Sequence, residues 1–325
     1  MFRPTIHAEA GVEQQKNPTG NLANLKVFVF QPDKEFYSYP FEKKLQILEE
    51  RIYLAKKSLG VNCVKTGKTE ATTTDKSESF WAKKKAGFFK KKTPTKDMSG
   101  QWQESSAPTA IFIAPEYLFK DFSKICFDRY YSQEQKKEFK KKLAELSLDT
   151  NMLLVPGTIC WFKKTEDENY YRNTAYFFYR GDIQKYKKKY PHTCYDFDYA
   201  NEGFLNLMDL RRLYFKANIS DPSVKDFGLK IGVEICYDSV QGSLASYIHE
   251  NNSPIDMQLI IADGAKDPIV VQQDGMFFIK VERKASDTEI GTIKLHESDN
   301  KSVKLEPALS LGSIETSDLT CFQFK

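Results

Sequence analysis

The stretch IGVEICYDS, residues 231–239, decides how the chain is read. Its run from Ile231 to Ile235 is apolar and β-branched, the pattern of a strand buried in a core. The strand then delivers a thiol, Cys236, and Tyr237, Asp238 and Ser239 begin a turn or helix behind it. A buried cysteine is ordinarily a small hydrophobe without chemistry. One presented at a strand end, with a new turn behind it, stands where a nucleophile is displayed. The surrounding chain has to choose between the two.

Working outward, strands and helices alternate. LKVFVFQP (25–32) is a short apolar strand stopped by proline. FEKKLQILEERIYLAKKSLG (41–60) spaces Phe41, Leu45, Leu48, Ile52, Ala55 and Leu59 along one helical stripe and ends at Gly60, a C-cap residue. TAIFIAPEYLF (109–119) is a second buried strand, ending at Pro115–Glu116. Ser132 and Gln135 have the spacing of a capping box for a helix bearing Phe139, Leu143 and Leu146. NMLLVPGTICWF (151–162) reads as a strand region, and TAYFFYRGDIQKYKKKY (174–190) as a hairpin about Gly181–Asp182. After LKIGVEICYD come a helix, SLASYIHENN, and another apolar strand, MQLIIADGA. This alternation predicts a layered α/β domain.

Two segments depart from it. Residues 1–24 read as a mobile arm. Residues 61–107, rich in Lys, Thr and Ser, read as an insertion within a single domain covering 25–325. The plain reading of this insertion is a surface loop. The alternative folds Phe80, Trp81, Phe88 and Phe89 back to the pocket mouth, with the lysines facing an acidic substrate or anionic surface.

Composition narrows the function. The net charge of +4 comes from 48 basic and 44 acidic residues, so the lysine clusters at 83–85, 90–92, 136–142 and 185–189 are diluted by acids. Solvated surface, not nucleic-acid binding, is the expectation. No apolar run approaches the about 20 residues of a membrane span, and the N-terminus carries no secretory h-region. The six cysteines lie far apart without CxxC pairs, which argues against zinc and a disulfide framework and for a reducing, cytoplasmic setting. No metal or cofactor is called for. The four histidines (His7, His192, His249 and His296) stand in no recognisable protease signature, against a Cys-His dyad.

Glu116 closes a wholly apolar strand, where a carboxylate is costly without a partner or a task. Together and in this order, IFIAPEYLF, RNTAYFFYRGDIQKYKKKY and IGVEICYDS resemble the three motifs of the carbon–nitrogen hydrolase (nitrilase-like amidase) superfamily. LKVFVFQP is similar to that family's opening strand and LLVPGT to the strand before its hairpin, so the resemblance covers roughly 25–60 and 108–265.

The resemblance implies a four-layer α-β-β-α sandwich and a triad of Glu116 as general base, Lys188 as oxyanion cation and Cys236 as nucleophile. The backbone N–H of Tyr237 supports the oxyanion, and Glu202, in YANEGFL, is the candidate second glutamate. Strand alternation sends Lys187 and Lys189 to the opposite face from Lys188. The implied activity is hydrolysis of a non-peptide amide of a small molecule through a thioester, in a homodimer or higher homo-oligomer in which the C-terminal SLGSIETSDLTCFQFK can cross to the partner. Two rivals remain: an acyltransferase using the same thioester, and a non-catalytic interaction protein using the basic insertion.

Overall fold

The computed structural model describes residues 24–60, 107–124, 126–164, 169–192, 196, 213–218, 222–295 and 303–324. The proposed arm, apart from Asn24, and the insertion, apart from Ala107, lie outside the described residues. So does Glu202.

The apolar runs of the sequence become the parallel centres of two sheets. In the first, β1 (Lys26–Phe30), β2 (Ala110–Ile113) and β3 (Met152–Val155) run parallel and side by side. The antiparallel strands β4 (Thr158–Lys164), β5 (Asn169–Tyr179) and β6 (Asp182–Lys187) extend it on one side, and β7 (Leu213–Phe215) pairs with β5. The second sheet begins with β8 (Val224–Asp226), which lies antiparallel to β9 (Lys230–Ile235). Parallel to β9 come β10 (Met257–Ile261) and then β11 (Phe277–Val281), followed by β12 (Glu289–Leu295) and β13 (Val303–Pro307). Parallel strands buried on both faces carry near-continuous apolar sequence, as β2, β3 and β10 do.

Side-chain alternation sorts these strands into layers. Val27, Val29, Ile111, Ile113, Leu153 and Val155 face the other sheet, where they meet Ile231, Val233, Ile235, Leu259 and Ile261. Phe28, Phe30, Phe112 and Leu154 point outward, onto helix α1 (Phe41–Ser58) and helix α2 (Gln133–Leu146). On the outer face of the second sheet, Ile260, Phe278 and Ile293 pack with Leu244 of helix α4 (Ser243–Asn251); a single turn, α3 (Tyr237–Val240), precedes it. The fold is therefore an α-β-β-α sandwich. Each such fully buried aliphatic side chain stabilises it by about 1.5–3 kcal/mol.

Local signals explain the helices. Phe41, Leu45, Leu48, Ile52 and Ala55 are the buried stripe of α1, and Gly60 takes φ 74° just past its end. Ser132 and Gln135 close the capping box of α2 reciprocally. Two buried lysines on α1, Lys44 and Lys56, have no counterpart in the apolar pattern; the Lys44 Nζ donates to the carbonyls of Tyr37 (2.8 Å) and Lys120 (2.7 Å). Burial pulls the Lys44 ammonium down to about 8. The Lys120 carbonyl ties α1 to the loop after β2, and the Tyr37 carbonyl ties it to the turn just before the helix.

Three expectations need correction. The β5–β6 turn is centred on Arg180–Gly181, one residue earlier than expected, because these two carry the positive φ values (50° and 84°) that a tight two-residue hairpin requires. The C-terminal segment does not leave the chain. Its strand β15 (Leu319–Gln323) pairs antiparallel with β1, Leu319 opposite Phe30, and completes the first sheet with β14 (Leu309–Ser313) at its edge. Nor does strand alternation carry on to Lys189. The strand ends at Lys187, so alternation lapses there, and Lys189 is buried with its Nζ donating to Ser223 Oγ at 2.9 Å. Among the described residues no helix is long and apolar enough to cross a membrane.

Candidate active site

Three segments end at the same place. After β2 the chain turns through Pro115 and Glu116 to Tyr117, which takes φ 57°, with the Tyr117 N–H bound to Thr158 Oγ1 at 2.9 Å. Gly157 lies beneath: a Cβ there would sit 2.2 Å from the Pro115 carbonyl oxygen, so only glycine lets the two backbones approach. The Glu116 N–H reaches across to the Ala262 carbonyl at the end of β10, fixing the turn to the second sheet.

Glu116 is fully buried. Its Oε1 accepts from Asn173 Nδ2 (2.8 Å) and Lys188 Nζ (2.9 Å). Its Oε2 is buried and makes no hydrogen bond of normal geometry. Burial pushes this carboxyl up to about 8; Lys188 opposes the rise and Asp196 adds to it.

Lys188 stands just past β6, its N–H donating to the Asn173 carbonyl at 3.0 Å. Its Nζ contacts Glu116, Asp196 Oδ2 at 2.7 Å and, loosely, Tyr117 Oη at 3.4 Å. Burial works against its charge, but Asp196 and Glu116 outweigh that and hold the ammonium well above its ordinary range. Asp196 is itself held by Tyr117 Oη (2.8 Å) and the His192 N–H (2.7 Å), while Tyr130 Oη donates to its carbonyl.

Cys236 is the hinge between β9 and α3, at φ 46° and ψ −104°. An L residue rarely adopts this conformation, which costs on the order of 1–3 kcal/mol and is tolerated where function fixes it. The Cys236 N–H is tied to the Ile261 carbonyl at 3.0 Å. Burial pushes the thiol up, the neighbouring Glu116 pushes further, and Lys188 and the Asp263 backbone N–H oppose them. The thiol and Glu116 are therefore close enough to perturb one another, although Oε2 closes no regular hydrogen bond. Tyr237 is the first residue of α3, so its N–H has no partner inside the helix.

At the edge of this cluster Asp263, raised by burial, pairs with Arg283, whose guanidinium lies 4.2 Å from the Tyr37 ring centre and 5.0 Å from that of Phe122. A depression of about 300 Å³ between α1 and α2, lined by Glu42, Glu49, Glu138 and Lys142 among others, holds none of these groups and lies on the outer helical layer.

The structure thus brings together Glu116, Lys188 and Cys236. Glu202 is outside the described residues, and Asp196 is the second acid on the lysine among those described. Sequence reasoning missed Asp196 and Asn173. Asn173 lies inside the quoted hairpin motif and had a visible signal; Asp196, in CYDFDYA, had none.

No family model matches the chain, and no curated protein matches it significantly. Solved structures similar to it include Nit3 from Saccharomyces cerevisiae, a member of branch 10 of the nitrilase superfamily, at 13% identity and TM-score 0.47, matching 93% of this chain and 90% of that one. An amidase from Nesterenkonia sp. is similar at 11% identity and TM-score 0.44, over 94% and 93% of the two chains. A glutamine-dependent NAD+ synthetase from Acinetobacter baumannii is similar at 14% identity and TM-score 0.46 over 92% of this chain, which spans 44% of the synthetase's length.

Proposed function

We propose that this chain hydrolyses the carbon–nitrogen bond of a small, non-peptide amide through a thioester on Cys236. One observation carries the proposal: a strained thiol, a buried carboxylate with one oxygen left unpartnered, and a buried ammonium meet at the ends of three different segments.

Each group has a task its surroundings suit. Once it has lost its proton, a carboxylate raised to about 8 is a stronger base than a free glutamate. As Cys236 Sγ attacks the amide carbon, its proton passes to Glu116, and the carbonyl π pair moves to oxygen. Lys188 and the Tyr237 N–H hold that oxyanion. Two of the lysine's three protons are committed to Glu116 and Asp196; the third makes only the long contact to Tyr117, leaving it for the oxyanion. The oxyanion collapses, the carbon–nitrogen bond breaks, and Glu116 returns the proton to the departing amine. Glu116 then takes a proton from the water that attacks the thioester carbon; the carbon–sulfur bond breaks, the acid leaves, and Glu116 returns that proton to the Cys236 sulfur.

The free thiols of Cys160, Cys236 and Cys321 suit a reducing, cytoplasmic setting. Leu309 and Leu311 on β14 and Val303 on β13, all exposed on edge strands, are the surface on which we place a second copy in a homodimer. The test of function is a panel of small amides, assayed for amine release with and without added hydroxylamine. Acid plus amine supports hydrolysis. Turnover only when an amine acceptor is present replaces it with acyl transfer, and no release from any amide by the wild type removes the reading.

A further inference from the structure

Asp238 is a carboxylate the proposed reaction does not use, yet it is wholly buried between the two halves of the site. It lies on α3, two residues beyond Cys236, and therefore belongs to the second sheet's side of the sandwich. Its Oδ1 accepts from the backbone N–H groups of Tyr190 (2.7 Å) and Lys189 (3.1 Å). Its Oδ2 accepts from Tyr186 Oη (2.9 Å), again from the Lys189 N–H (3.2 Å), and from the Ile235 N–H (3.4 Å). Tyr186 and the Lys189–Tyr190 backbone bracket Lys188 and come from the first sheet, whereas Ile235 ends the cysteine strand.

We infer that Asp238 is a positioning residue: one carboxylate that locks the Cys236 turn to the backbone carrying Lys188. The inference rests on the reading of Lys188 and Cys236 as a working pair. All four groups facing Asp238 are donors, and a carboxylate can accept from every one of them. An asparagine of the same size offers one accepting oxygen and turns an NH2 group toward N–H donors, so both geometry and charge are lost. Among the described residues Asp238 is the acceptor of both N–H groups of the segment just beyond Lys188. Where β6 has ended and ladder pairing no longer fixes the chain, Asp238 takes over that function.

The test needs no substrate. Iodoacetamide alkylation of Cys236 is followed by peptide mass mapping at fixed pH in the wild type, Asp238→Asn, Lys188→Ala and the double variant, alongside thermal melts. Lys188→Ala slows alkylation because the cation that favours the thiolate is gone. Asp238→Asn slows it on the order of tenfold, as misplacement of a catalytic group does. The double variant is no slower than Lys188→Ala alone, because the clamp acts through the lysine. If the two effects multiply, or if Asp238→Asn melts lower with alkylation unchanged, Asp238 is structural only and the inference falls. If Lys188→Ala leaves alkylation unchanged, the pairing of Lys188 with Cys236 fails first and the clamp falls with it. Should Asp238→Asn lose its cooperative melt, Tyr186→Phe, which removes one of the four donors, is read in the same cycle: multiplicative effects with Lys188→Ala overturn the inference and non-multiplicative slowing supports it.

Discussion

Lys188 Nζ and Asp196 Oδ2 lie 2.7 Å apart with both side chains out of solvent. This pair gives the lysine a standing counter-charge, so Glu116 is free to change protonation without leaving a bare ammonium in the core. Asp196→Asn breaks the pair from one side and leaves the charge buried, which costs about 3–5 kcal/mol. Urea unfolding should register that loss.

Glu116 supplies a pH dependence with a definite sign. Its carboxyl is raised by burial from 4.5 to about 8, so between these values the folded chain holds a proton that the unfolded chain has released. Its contribution to stability is therefore fullest below 4.5 and declines as pH rises through the window to about 8. Asp238 (about 6) and Glu234 (about 7), both raised by burial, decline in overlapping windows. The Glu116 part is isolated by comparison with Glu116→Gln. Urea stability of the wild type should fall more steeply from pH 5 to pH 9 than that of the glutamine variant. Identical slopes would contradict the raised carboxyl.

The three adjacent lysines should separate by kind of damage. Lys188→Ala should cost on the order of 100-fold in turnover, as loss of an oxyanion donor does. Lys189→Ala removes a buried contact to Ser223 and should cost about 1–3 kcal/mol of stability with a smaller kinetic effect. Lys187, half-buried at the strand end, should lose least on both measures. Equal kinetic loss at all three would mean that Lys188 has no special place.

The backbone at Cys236 makes a prediction independent of chemistry. At φ 46° and ψ −104° a glycine relieves strain that an alanine keeps. Cys236→Gly should be more stable than Cys236→Ala by about 1 kcal/mol in urea unfolding, after deducting glycine's greater chain entropy. Both should lack turnover.

The sequence made the strands, the capped helices and the two acid and thiol strand ends legible because each is written in local periodicity. Val27 and Val29 against Phe28 and Phe30 separate two faces by alternation alone, and Ser132 with Gln135 is a contact three residues long. What escaped it closes over distance or beyond a regular element. Asp196 reaches Lys188 through a segment without periodicity and is held by Tyr117 and Tyr130 from elsewhere in the chain. Lys189 is buried because β6 has already ended, so an alternation rule applied one residue too far misplaces it. The union of β15 with β1 joins the two ends of the described chain, a pairing no local pattern encodes.

Whether Cys236 carries the acyl group is read by mass spectrometry of the protein during turnover. A mixture of wild-type protein and an amide it consumes is quenched in acid and its peptides mapped. An acyl adduct is expected on the peptide containing Cys236, labile to hydroxylamine and missing from Cys236→Ala. An acyl group mapped to another residue, or amine release undiminished in Cys236→Ala, would contradict it.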